Sequence, residues 1–216
     1  GLVIDGDENN ATRQRLVALR GQARTGNWLH EVMLSRNASR SRFLTNGEEI
    51  SGLRGELNKA QWTASREFTG NLFSHSLAMG MQYEQRKFRN FSASFAGANH
   101  RARDQQRSQF REYLLRAEQR SMSVSARHDN NQHFANLTTW RVTGTQAVTA
   151  NTRAHASWGE GSANPTFFEL FGFIPDSFIG NPDLRPETSE GWDLGVEAYF
   201  CDGTCRGDLT YFRSTL

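Results

Sequence analysis

The stretch from Asn164 to Phe200, NPTFFELFGFIPDSFIGNPDLRPETSEGWDLGVEAYF, decides how this chain folds. Its first half, up to Glu187, holds all four prolines (Pro165, Pro175, Pro182 and Pro186) among several aromatics. Each proline removes an amide donor, so no β ladder runs through this half and it reads as an irregular loop. From Thr188 the pattern becomes strict alternation. Glu190, Trp192, Leu194, Val196, Ala198 and Phe200 share one face, and Gly191, Asp193, Gly195, Glu197 and Tyr199 share the other. That period is a strand with one apolar and one polar face, long enough to cross a bilayer at a tilt.

Composition agrees with a wall of such strands. Only 37% of the 216 residues are hydrophobic, mean hydropathy is −0.67, and no apolar run approaches the roughly 20 residues of a spanning helix. A polar barrel reconciles these values, because only every second residue meets lipid. A polar soluble β-protein would share the composition. The net charge of +2 gives no argument for nucleic acid. The basic residues are nearly all arginine, with only Lys59 and Lys87 as lysines. Arginine's planar fork suits carboxylate pairing across a barrel wall and anionic ligands equally well.

Along the chain, alternation predicts about ten strands. They run over Ala11–Arg20, from Trp28 to Leu34, Gly52–Phe68, Phe73–Tyr83, Gln109–Ala117, Ser121–Asp129, Ala135–Ala147, Asn151–Trp158, the strand after Thr188, and Gly207–Ser214. Residues 37–50, with Asn46-Gly47 at their centre, and the basic stretch 90–107 read as loops. Connections fall near residues 22, 44, 70, 98, 119, 132, 148, 174 and 203. Every second one is a tight turn, and the others are long except that near 132. Short turns at one rim and long loops at the other are the pattern of outer-membrane barrels.

Other motifs carry little. Asp5-Gly6-Asp7-Glu8-Asn9 hints at a calcium loop, but the EF-hand glycine and glutamate positions hold Asn10 and Leu16, so an external loop is expected. The six histidines show no metal spacing, and no nucleophile elbow or phosphate cradle occurs. Neither an enzyme nor a cofactor is expected. Arg153 and His155, on a polar face with Asn151, are candidates for lining the lumen and touching a ligand. Phe167, Phe168, Phe171, Phe173 and Phe178 are a large apolar load for a loop; they pack on one another or meet an apolar ligand.

Asn164-Pro165-Thr166 with Glu169-Leu170-Phe171-Gly172, then Gly180-Asn181-Pro182-Asp183-Leu184-Arg185-Pro186-Glu187, resembles the barrel of TonB-dependent outer-membrane receptors. The next strand matches too, with Trp192, Gly195 and Glu197 where the family usually has an aromatic, a glycine and an acid. Weaker similarity covers Arg127-His128-Asp129-Asn130 and Thr210-Tyr211-Phe212-Arg213. The resemblance implies an all-β fold: an antiparallel transmembrane β-barrel, of which residues 1–216 are a partial wall in a class of roughly 22 strands. Gly1 begins without a signal peptide and Leu216 ends without an aromatic-ended final strand. An internal stretch is therefore expected, with the plug domain and coupling segment elsewhere.

By the same resemblance, the whole protein sits in a Gram-negative outer membrane. It imports a scarce nutrient of the ferric-siderophore or cobalamin class, with energy from the TonB complex acting through the plug. Its partners are then outer-membrane lipid, that complex and the small nutrient, and not nucleic acid. A passive outer-membrane channel is the main rival, and a secreted β-rich binding module the third reading. Within the motif, Gly180, Asn181, Pro182, Leu184, Pro186 and Glu187 are expected to shape the loop's return into the wall, with ligand contact as the alternative. Cys201 and Cys205 flank Asp202-Gly203-Thr204, and either bridge the hairpin in an oxidising periplasm or remain free thiols.

Overall fold

The computed structural model describes residues 7–174 and 178–216. Pro175 and the Asp5-Gly6 part of the calcium-like run lie outside the described residues; Glu8, Asn9 and Asn10 are already strand. The main strands are β1 (Glu8–Thr25), β2 (Trp28–Thr45), β3 (Glu48–Thr69), β4 (Ser74–Ser92), β5 (His100–Arg116), β6 (Arg120–Asn131), β7 (Leu137–Thr149) and β8 (Thr152–Ala163). A helix, α1 (Phe167–Phe171), and a small ladder of β9 (Phe173–Ile174) with β10 (Phe178–Ile179) follow. Then come β11 (Glu187–Phe200) and β12 (Cys205–Thr215). All but β9 and β10 form one antiparallel 10-stranded sheet, each strand beside its predecessor, with β11 pairing β8.

Two segments read as loops are strands. Residues 37–45 and 48–50 belong to β2 and β3, and 100–107 belong to β5. The reason is visible in the pairing: Ser39↔Gly55, Arg40↔Arg54 and Ser41↔Leu53 continue the ladder with mostly polar side chains on both faces. Apolar alternation, the sequence signal of a strand, stops there while the backbone bonds go on. Crossing a membrane takes about 9–11 residues, and β3 has 22, so roughly half of it projects beyond the bilayer. Asn46 and Gly47 both adopt positive φ, at 53° and 81°, and close this tall ribbon as a two-residue hairpin.

Residues 26–27, 70–73, 117–119, 150–151 and 201–204 make one rim of tight turns. The other rim carries residues 46–47, 93–99, 132–136 and 164–186. The sorting of connections is thus kept, except that the connection near 44 places its length in paired strand.

Directly opposed residues point to one side of a sheet, so the register joins the faces of separate strands. Leu77, Tyr113, Val124, Val142, Trp158 and Trp192 form one row, and Met122, Gly144, Ala156, Leu194 and Tyr211 form the next. This outer face is apolar and open: Leu194 is 56% and Leu209 81% exposed. The inner face carries the burial, and it is polar. Ser108, Asp104, Asn90 and Asp129 are buried, whereas Ala64 and Leu170 are the only buried hydrophobic residues among those described. A protein in water arranges these the other way round; a wall in lipid with a polar interior arranges them like this.

The long connection is built around α1. Thr166 caps it: its hydroxyl accepts from the Glu169 amide at 3.2 Å, and its own amide donates to the Glu169 carboxylate at 2.7 Å. The two halves of the motif then bind each other, Gly180 N–H donating to the Gly172 carbonyl and Asn181 N–H to that of Glu169, both at 2.8 Å. A side chain at position 180 would place its Cβ 2.6 Å from the Leu170 and Phe171 backbone, so only glycine permits this closure. On β11, a side chain at Gly195 would overlap the His155 imidazole.

Three outcomes are expected in the full-length protein that carries this chain. Leu194→Arg should cost about 2–4 kcal/mol of assembly if that residue lies near mid-bilayer, read as loss of heat-modifiable barrel on gels. Gly195→Val should lower the melting temperature instead, by displacing His155, without blocking insertion. The Glu169 carboxyl is held below its ordinary range, chiefly by the Thr166 amide and then by its hydroxyl. The cap is therefore complete above about pH 4.3, the ordinary value for glutamate, and is lost as pH falls through the lower folded value. Exchange protection of the α1 amides should drop below that pH in the wild type and be low throughout in Glu169→Ala.

Candidate functional site

Pairing offsets bring together, on the inner face of β4–β6, residues far apart in the chain. Gln82, Ser108 and Asp129 lie in one row, and Glu84, Gln106 and Asn131 in the next. Arg127 donates Nε to both Asp129 oxygens, at 2.9 and 3.0 Å, and a terminal nitrogen to Ser108 Oγ at 2.8 Å. Such a charge-assisted cluster fixes its members firmly. One step towards the rim of long connections, Arg86 donates to Gln106 at 2.8 Å and stands 3.5 Å from Asp104. Asn164 continues the network into the loop through its bond to Asn131 at 3.0 Å.

The loop folds down over this floor. Phe167 stacks on Phe88 at 5.9 Å between centroids, Phe171 on His100 at 4.1 Å, and Phe173 on Phe95 at 4.9 Å. Phe168 stacks on Phe178 within the loop, at 4.9 Å. The five phenylalanines therefore bind α1 and the β9–β10 ladder to one another and to the β4–β5 tip. Between lid and floor lies a cavity of about 310 Å³ lined by Leu57, Arg86, Phe88, Asp104, Phe134 and Phe167, among others. Asp104 is 3% exposed, yet its Oδ1, Arg86 Nε and Asn90 Nδ2 have no hydrogen-bond partner among the described residues. Buried polar atoms left so are costly, and these three are able to take up a polar group brought to the wall.

Arg153 and His155 are on the inner face too, but at the other end of β8, beside the tight turn 150–151. His155 Nε2 lies 3.1 Å from Thr210 Oγ1, reaching over Gly195, and Arg153 stands opposite Glu197, which accepts from Arg206 at 2.8 Å. The structure does not bring these two together with the phenylalanines. In the motif, Asn181 Oδ1 accepts from the Asp183 amide at 3.0 Å, making the turn that carries Pro182 and Leu184 towards Pro186 and the start of β11 at Glu187. Cys201 and Cys205 flank the β11–β12 turn as unlinked thiols.

Sequence reasoning missed α1 and the buried network. Thr166-x-x-Glu169 is a capping-box signature and was the available sign of the helix. Asp104, Arg86 and Ser108 have no local sign, because only register assembles them. Of the residues in the weaker match at 127–130, Arg127 and Asp129 belong to the network, while His128 faces outward and lies 2.9 Å from Thr138 Oγ1.

Comparison with known proteins agrees with this wall. The family described as TonB dependent receptor-like, beta-barrel, matches residues 4–216. A vitamin B12 transporter BtuB of Photobacterium profundum is 24% identical over 169 residues, 77% of this chain and 26% of that protein. Another, of Vibrio vulnificus, is 30% identical over 128 residues, 57% of this chain and 19% of that protein. Among solved structures, the siderophore receptor PirA from Pseudomonas aeruginosa superposes with a TM-score of 0.83 at 16% identity, over 97% of this chain and 40% of that one. The chain thus spans about a quarter of the length of the first of these transporters. It belongs to the TonB-dependent receptor β-barrel family, a family of transport receptors rather than enzymes, seated in the outer membrane of Gram-negative bacteria.

Proposed function

We propose that these strands are part of the wall of a closed barrel that binds and actively imports a scarce nutrient of the ferric-siderophore or cobalamin class. The observation that carries this reading is the inverted wall, apolar outside and polar within, with a cavity lined by unpartnered polar atoms under a packed loop. An open sheet leaves edge amides unsatisfied at a cost of several kcal/mol each in hydrocarbon, so β1 and β12 are continued by other strands. The functions of the similar proteins, vitamin B12 transport and siderophore reception, support the nutrient class. Import is driven by the TonB complex through a plug domain in the lumen, and the ligand is moved without breaking a covalent bond. Within this reading, the phenylalanines hold the loop shape that a ligand meets. Arg153 and His155 face the plug side of the lumen.

The test is uptake of radiolabelled cobalamin and of ferric siderophores by cells whose sole receptor for them is the one carrying this chain. Saturable uptake that stops when the proton gradient is collapsed, or when TonB is deleted, is expected. Flux that continues under both conditions would establish a passive channel instead. Asp104→Ala, which removes the carboxylate whose Oδ1 has no hydrogen-bond partner among the described residues, should weaken ligand binding or plug retention while leaving the heat-modifiable barrel intact. A variant indistinguishable from wild type in both would remove Asp104 from the site.

A further inference from the structure

The turn between β11 and β12 coils to the left. Cys201 and Asp202 have φ of 54° and 55°, and Gly203 has 86°, so three consecutive residues are left-handed. Glycine takes that conformation freely and aspartate with the help of local bonds, but a cysteine takes it against the crowding of its own Cβ. Three hydrogen bonds hold the coil. The Gly203 N–H donates to the Phe200 carbonyl at 3.2 Å, and the Thr204 N–H and hydroxyl both donate to the Cys201 carbonyl, at 3.1 and 2.6 Å.

That coil sets the two thiols side by side. The ladder resumes with Cys205 opposite Phe200, so Cys201 stands one residue beyond a register pair. The Cys205 thiol beside it pushes the Cys201 thiol above its ordinary value, and partial loss of water adds to this. Cys201 is exposed and Cys205 half-buried. Arg206, the nearest cation in sequence, lies on the other face and is taken by Glu197 at 2.8 Å. Among the described residues no third histidine, cysteine or carboxylate joins the pair, which is therefore short of the four ligands of a structural zinc site.

We propose that Cys201 and Cys205 are a redox site, joined as a disulfide across this turn by exchange with a disulfide-bearing oxidant of the periplasm. Residues 201–204 belong to the rim of tight turns, which in outer-membrane barrels faces the periplasm, an oxidising compartment. In the exchange, the more exposed Cys201 attacks as thiolate on one sulfur of the oxidant's disulfide. A mixed disulfide forms and the oxidant's other sulfur leaves as a thiol. Cys205 then attacks the Cys201 sulfur, and the oxidant departs with both of its sulfurs reduced. The two thiols lose two electrons to the oxidant's disulfide, and their two protons pass to its sulfurs. The bond formed holds Cys201 in its left-handed conformation. The inference needs only the periplasmic rim, and stands or falls separately from the nutrient.

The experiment uses the wild-type full-length protein in outer membranes, denatured in N-ethylmaleimide so that every free thiol is capped. A protease that cuts before aspartate then separates the two cysteines at Asp202, leaving fragments 193–201 and 202–207. Mass spectrometry should find these two fragments as one uncapped species that comes apart on adding dithiothreitol. In cells lacking their periplasmic dithiol oxidant both cysteines should be capped and the joined species lost. Capping of both cysteines in wild-type cells would overturn the proposal. So would a bond from either cysteine to glutathione or to another cysteine of the protein. A link that persists undiminished without the oxidant would overturn the exchange step.

Discussion

In hydrocarbon no water is available to a bare amide, and this condition sets the form of the whole molecule. Every backbone donor and acceptor in the membrane must be answered by a neighbouring strand. Between its two edge strands the ladder from β1 to β12 does this without a crossover, each strand beside the previous one. Prolines are accordingly kept out of it: among the described residues, Pro165, Pro182 and Pro186 lie between β8 and β11, where the chain has left the sheet. With the backbone satisfied in this way, side chains are free to divide by face, and the division gives the wall its two surfaces.

The inner surface is held by polar bonds where a soluble domain would use an apolar core. Arg127, Asp129 and Ser108 form one cluster, and Asn131 carries it to Asn164 at the start of the long loop. The loop's own apolar material is then spent on seating itself, with Phe167 on Phe88 and Phe171 on His100. The family motif is, in its geometry, two stretches of backbone hydrogen-bonded to each other beside a five-residue helix.

What could be read from sequence follows from how far each signal is local. β11 was legible because Trp192, Leu194 and Val196 alternate with Asp193, Gly195 and Glu197, one face for lipid and the other for the lumen. The upper parts of β2, β3 and β5 were not, since water bathes both of their faces and alternation disappears while pairing continues. α1 was hidden because five residues, four of them apolar, are too few to show a helical period. The Arg86–Asp104 site was invisible for a deeper reason. It joins residues whose adjacency depends on the length of the connection between β4 and β5, and a one-residue slip would send them to opposite faces.

The tall β2–β3 ribbon has a consequence for recognition. A loop of that length would sample many shapes and lose conformational entropy on meeting a partner, about 1–2 kcal/mol for each residue it fixes. A ladder closed by a two-residue Asn46-Gly47 turn has already lost that freedom during folding. Whatever arrives at its tip therefore meets a surface fixed in advance, and association there is a matter of fit between rigid bodies.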